Sequence, residues 1–177
     1  MSTSPIIPMT SKPTAPQNFF GREAELSHIV EAILNNGGSY SAQIAVLGPI
    51  GYGKTTLATA VLGHDCVVKH FSDSWYFVTC ESASTPGALH IEIARALGIL
   101  DDSDVSWSYI YAFLNAQKSI LCLDHFDSPW DQASDIKASI EDLLLRMAEL
   151  HSVTLLITMW VQKGQLGLTG LSPYYPP

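Results

Sequence analysis

The stretch Gly48-Pro49-Ile50-Gly51-Tyr52-Gly53-Lys54-Thr55-Thr56 has the residue types and spacing of a phosphate cradle, G-x-x-x-x-G-K-[ST]. Glycines let the backbone curl until successive amide N–H groups face phosphate oxygens. A helix starting at the end of the loop adds the partial positive charge of its N-terminus. Lys54 is a mobile charge for the outer phosphates, and the Thr55 hydroxyl can ligate Mg2+. Hydrolysis needs an acid as well. Asp124 follows the apolar run Ser119–Leu123 (SILCL) and is the expected second holder of magnesium, while Asp127 is placed to orient an attacking water. The plainer readings are a chance glycine loop, a loop-capping Asp124 and a turn residue at Asp127. The strand before the cradle and the helix after it weigh against chance.

Other constellations carry less. His28, His64, His70, His90, His125 and His151 show no i, i+4 pair, and His64-Asp65-Cys66 lacks a second pair of ligands for a metal. Cys122 lies inside an apolar run, which predicts an inert core thiol rather than a nucleophile. No G-x-S-x-G elbow occurs, and Asp124-His125 as neighbours do not make a triad.

Alternating strands and helices must position these residues. Apolar positions at helical spacing predict helices over Glu23–Asn35, Lys54–Leu62, Pro86–Leu97, Trp107–Asn115 and Ile136–Leu150. Thr85 reads as a cap with Pro86 in the first turn. Short apolar or β-branched runs predict strands over Gln43–Leu47, Ser74–Thr79, Ser119–Leu123 and Val153–Thr158. Strand alternating with helix implies parallel strands, right-handed crossovers and helices on both faces. The expected fold is therefore α/β, a three-layer P-loop arrangement with a mainly parallel sheet flanked by helices.

The chain has 177 residues, and 9 Lys+Arg against 17 Asp+Glu give a net charge of 9 − 17 = −8. With 47% apolar residues it can fill one sizeable core, unlike a disordered chain. Residues 1–17 hold four of the ten prolines and one charge, Lys12, and read as a disordered leader. Residues 18–163 hold every acid and eight of the nine bases, and read as the domain. Residues 164–177 are charge-free, with three Gly and three Pro, and read as an atypical tail in which Leu168–Leu171 supplies a weak fifth strand. The acidic balance predicts no nucleic-acid partner. No run approaches a membrane span, so no membrane partner is expected. Cysteine usage and the lack of a visible secretory signal predict a reducing, cytoplasmic location.

Several motifs together resemble the STAND class of P-loop NTPases, the NB-ARC and NACHT-like switch domains of intracellular receptors, especially fungal ones. Phe19-Phe20-Gly21-Arg22-Glu23-Ala24-Glu25-Leu26 is similar to the opening motif of that class, Phe71–Val78 to its F-x-x-x-W strand, and Asp124–Trp130 to its extended acidic motif. Leu156-Ile157-Thr158-Met159 resembles its sensor strand. The resemblance implies that Phe20, Gly21 and Arg22 lie near the nucleotide, with ATP or ADP and Mg2+ as ligands. It also implies a signalling role of the innate-immunity type. A γ-phosphate-sensing arginine belongs where this chain has Trp160, and the closing parts that follow in the class have no counterpart here, so the resemblance implies a truncated, misassembled or degenerate copy.

The expected function is thus an ATP/ADP-binding switch with slow or impaired hydrolysis, self-associating or associating with related receptor proteins. A small-molecule kinase or phosphotransferase is the first alternative. It would need an arginine-bearing lid, and Arg22, Arg95 and Arg146 lie in no lid-like loop. The second alternative is a non-catalytic interaction fragment.

Overall fold

The computed structural model describes residues 16, 19–35, 41–99, 106–160 and 172–174. Five parallel strands form one sheet in the order β2-β3-β4-β1-β5: β1 (Gln43–Leu47), β2 (Trp75–Thr79), β3 (Ser119–Asp124), β4 (Val153–Met159) and β5 (Ser172–Tyr174). The helices are α1 (Glu23–Leu34), α2 (Lys54–Gly63), α3 (Asp65–Phe71), α4 (Pro86–Ala96), α5 (Trp107–Asn115), α6 (Asp127–Trp130) and α7 (Ser134–Ala148).

Strands β1, β3 and β4 are buried on both faces because helices cover both, which is why they read as continuous apolar runs. Alternate residues serve opposite sides. Ile44, Val46, Ile120, Cys122 and Leu156 pack with Ile29 and Ile33 of α1, Leu57 and Val61 of α2, and Val67 and Phe71 of α3. Ala45, Leu47, Leu121, Leu123, Leu155 and Ile157 pack with Leu89 and Ile93 of α4, Ile110 and Leu114 of α5, and Ile140 and Met147 of α7. Three layers result, as expected.

The predicted elements are present, with ends shifted by one or two residues. The Thr85 hydroxyl accepts the Ala88 N–H at 3.1 Å and so caps α4. Two short helices, α3 and α6, were not anticipated. In α3 the signal is Val67 and Phe71, four apart and both buried, in a segment too short to stand out by periodicity. The leader 1–17 lies outside the described residues apart from Pro16, as does the strand expected at Leu168–Leu171. The described strand β5 lies just beyond it, within the stretch read as a tail, and pairs with β1 from Ile44↔Ser172 to Val46↔Tyr174.

Strand order places the functional end. β4 lies between β1 and β3, so the loop leaving β1 and the acid ending β3 flank the end of β4. The chain leaves β1 for the far edge strand β2 and then steps back through β3 and β4. In open parallel sheets ligands bind at such a reversal, beyond the carboxyl ends of the strands.

Candidate functional site

The phosphate loop links β1 to α2. Gly48 is buried at the strand end, whereas Pro49, Ile50, Gly51 and Tyr52 are exposed. The Tyr52 N–H turns back to the Pro49 carbonyl at 3.4 Å. Gly51 and Gly53 have φ of 82° and 67°, the left-handed region that side chains disfavour. Nothing lies within 4 Å of a Cβ added to Gly51, so backbone conformation rather than space calls for glycine there. Gly53 caps α2, and its carbonyl accepts the Leu57 N–H at 2.9 Å.

The Lys54 ammonium donates to the carbonyls of Gly48 at 2.9 Å and Pro49 at 3.0 Å, spanning its own loop. Partial burial pulls its pKa below the ordinary lysine value, opposed by the nearby carboxylates of Asp127 and Asp124. One lysine thus lies within electrostatic reach of both acids. Thr56 is exposed, and its carbonyl accepts the Thr59 hydroxyl at 3.0 Å.

Asp124 is only 1% exposed, and a buried carboxylate must be compensated. Three side chains do so. The Thr55 hydroxyl donates to its oxygens at 2.9 and 3.0 Å, the Thr158 hydroxyl donates to Oδ1, and His125 Nδ1 lies 2.9 Å from Oδ2. His125 itself has φ of 54°, and its N–H donates to the Thr158 hydroxyl at 3.2 Å. The Phe126 N–H continues the stitching to the Thr158 carbonyl at 2.9 Å. Asp127 opens α6, and one of its oxygens accepts the Trp160 N–H. The acidic loop after β3 and the end of β4 therefore form one hydrogen-bonded corner.

That corner shields two thiols. The Cys80 N–H donates to the Asp124 carbonyl at 2.8 Å, and burial together with the Asp124 and Glu92 charges pushes the Cys80 thiol up to about 12. Complete burial likewise raises Cys122 well above the ordinary value, so neither has thiolate character near neutrality.

The opening motif reaches the loop through Arg22. Arg22 Nη1 donates to the Tyr52 carbonyl at 2.7 Å and the Gly53 carbonyl at 3.4 Å. Gly21 and Phe20 are exposed, Phe20 to 82%, and it is Phe19 that packs against the core. Sequence reasoning assigned no role to Thr158, His125 or Glu25. Thr158 is the largest omission, and its signal was a hydroxyl near the end of the strand lying between the two halves of the site.

The oxygen donors fit magnesium: a hard cation takes a hydroxyl and a carboxylate and leaves its other positions to phosphate and water. Thr55 and Asp124, already in contact, are the residues that would hold it. When bound, the ion would neutralise phosphate charge.

Fold and site define a P-loop nucleotide-binding α/β domain. Residues 39–160 match the AAA domain family, and the chain belongs to that family. Among individual proteins it is similar to the disease resistance protein RGA2 of Solanum bulbocastanum, 26% identical over 167 residues that make up 91% of this chain and 17% of that protein. In fold it is similar to the ORC1 protein of Aeropyrum pernix in complex with DNA, with a TM-score of 0.67, 19% identity and coverage of 92% of this chain and 47% of that one. The ORC2 protein of Aeropyrum pernix, in ADPNP-ADP complexes, gives a TM-score of 0.69 at 17% identity, covering 93% of this chain and 50% of that one. The chain therefore spans about half of these structures and a smaller share of the plant protein.

One expectation is corrected by these comparisons. The acidic balance was read as excluding nucleic acid, yet the ORC1 protein bearing this fold is in complex with DNA. Net charge averages over a surface and says nothing of a local patch or of parts beyond the matched region, so it excludes no such partner. Regarding membranes, no helix among the described residues is long and apolar enough to cross one.

Proposed function

We propose that this domain binds ATP and ADP with Mg2+ and acts as the nucleotide switch of a STAND or NB-ARC-type signalling protein, ADP-bound at rest and hydrolysing ATP slowly. The observation that carries the reading is the contact between the two halves of the site, the Thr55 hydroxyl on the Asp124 carboxylate, next to a lysine that spans its own glycine loop. In this reading the N–H groups from Gly48 to Thr56 cradle the phosphates, Lys54 neutralises them, and Thr55 with Asp124 holds the ion. Asp127 orients water with the oxygen not engaged by Trp160. Phe20, Gly21 and Arg22 lie near the nucleotide, Phe20 on the side of the adenine and Arg22 beside the phosphate loop. The similarity to a plant disease resistance protein supports the signalling part. Residues 18–163 are its working unit, and the cytoplasm its setting.

Thermal unfolding tests the reading. A hundredfold excess of magnesium nucleotide over its dissociation constant adds about 2.7 kcal/mol to stability. ADP and ATP should both give that stabilisation to the wild type, and Lys54→Ala should lose most of it. Equal shifts for wild type and variant would sink the assignment.

A further inference from the structure

The Arg22 guanidinium grips the phosphate loop from outside and is itself anchored. Its Nε donates to the Glu25 carboxylate at 3.0 Å, and the two side chains are only 19% and 11% exposed. Both residues belong to the start of α1, where the Arg22 carbonyl accepts the Leu26 N–H at 3.0 Å. The contact is close: a Cβ added to Gly53 would sit 3.6 Å from Nη1.

Peptide geometry turns this grip into a positioning effect. A trans peptide is planar, and its C=O and N–H point to opposite sides. The Tyr52 carbonyl shares its plane with the Gly53 N–H, and the Gly53 carbonyl shares its plane with the Lys54 N–H. Held on the arginine's side, the Tyr52 carbonyl aims the Gly53 N–H away from it, and the Gly53 carbonyl, which α2 also holds through the Leu57 N–H, does the same for the Lys54 N–H. Donors fixed before a ligand arrives need not be ordered on binding, and that raises affinity without new contacts.

We propose that Arg22, held by Glu25, is a positioning residue that pre-sets the Gly53 and Lys54 N–H groups for the phosphates of a nucleoside di- or triphosphate. The proposal rests on Gly48–Thr56 being the phosphate site. It goes beyond the near-nucleotide placement that the opening motif implies, because Nη1 is bonded to the loop backbone and acts through it.

The test uses the full chain as wild type, Arg22→Met, Arg22→Lys, Glu25→Gln and Lys54→Ala. Two quantities are measured: the Mg·ADP dissociation constant by calorimetry, and the Gly53 and Lys54 amide resonances without nucleotide. Arg22→Met should weaken ADP about tenfold, Glu25→Gln should weaken it less, and Arg22→Lys should recover part of the loss. In Arg22→Met both amide resonances should move before any ligand is added. Unchanged affinity and unchanged amides in Arg22→Met and Glu25→Gln would overturn the positioning role. Lost affinity with unmoved amides would also overturn it, transferring Arg22 to direct ligand contact. If Arg22→Met does not fold, Glu25→Gln decides by the same two readouts. Wild-type affinity in Lys54→Ala would instead remove the phosphate site itself and this proposal with it.

Discussion

The two halves of the site sit at one end of the sheet but are built in opposite ways. The phosphate loop is largely exposed, depends on left-handed glycines, and is held by Arg22 from outside and Lys54 from within. The acidic corner centres on a buried carboxylate, Asp124, with Thr55, Thr158 and a half-exposed His125 around it. An exposed loop can adapt to phosphate oxygens. A buried carboxylate cannot, since any lost donor leaves charge uncompensated in a low dielectric. The contrast predicts that changes in the loop show in ligand binding, whereas changes in the corner show in folding.

Removing Lys54 gives the largest ligand effect, and the sharper form of that experiment compares it with Thr158→Val. Val keeps the shape of Thr but removes the hydroxyl that donates to Asp124 and accepts from the His125 N–H. Leaving buried polar groups unpaired costs about 1–3 kcal/mol. Thr158→Val should therefore lower stability by that amount without nucleotide, while Lys54→Ala should change unliganded stability far less. Chemical denaturation of both variants checks the contrast. A Thr158→Val protein as stable as wild type would show that the corner does not depend on this hydroxyl.

Alkaline titration separates the halves by sign. In the corner, the Cys80 thiol is raised from 9.0 to about 12, so the unfolded thiol ionises first. Its contribution is complete below pH 9.0 and is lost as pH rises toward about 12, at a limiting slope of about 1.4 kcal/mol per pH unit. In the loop, burial lowers the Lys54 pKa from 10.5, so folding disfavours its charge. That penalty is present at neutral pH and is relieved as pH rises through the folded pKa toward 10.5. Cys80→Ala should flatten the alkaline fall in stability, and Lys54→Met should steepen it. Denaturation midpoints between pH 8 and 10 measure both slopes, and parallel curves for all three proteins would refute the assigned environments.

The loop was far easier to read in the sequence than the corner, for a physical reason. A phosphate cradle is local: its glycines, lysine and hydroxyl are adjacent because consecutive N–H groups must converge on one anion. Strands β1, β3 and β4 were equally legible, since burial on both faces makes each a short apolar run, and β2 was legible through its aromatic and β-branched residues. The corner is assembled from β3 and β4, and no spacing rule joins Asp124 to Thr158 before the sheet order is known. Arg22 falls between these cases. Its motif drew attention to it, but its partners in the phosphate loop are carbonyls of Tyr52 and Gly53, and backbone acceptors leave no mark in a sequence.

The smallest expected effect lies where the two halves meet. The Trp160 N–H is bonded to Asp127 and its side chain is 40% exposed, next to the acid proposed to orient water. By the resemblance of β4 to a sensor strand, a charged donor belongs at this position, and indole offers one neutral N–H where guanidinium offers a charged fork. Wild-type protein should therefore distinguish ATP from ADP poorly. Trp160→Arg would keep the backbone bond to Asp127 and add a charged donor for the terminal phosphate. A charge-assisted hydrogen bond is worth about 1.5–3 kcal/mol when shielded, but at so exposed a position water screens it to about 0.5–1 kcal/mol. The ratio of ADP to ATP dissociation constants should rise only about two- to fivefold. Calorimetry on both proteins measures it, with Lys54→Ala as the non-binding reference. A wild type already strongly selective for ATP, with no gain from arginine, would show that discrimination arises in the phosphate loop and not at the end of β4.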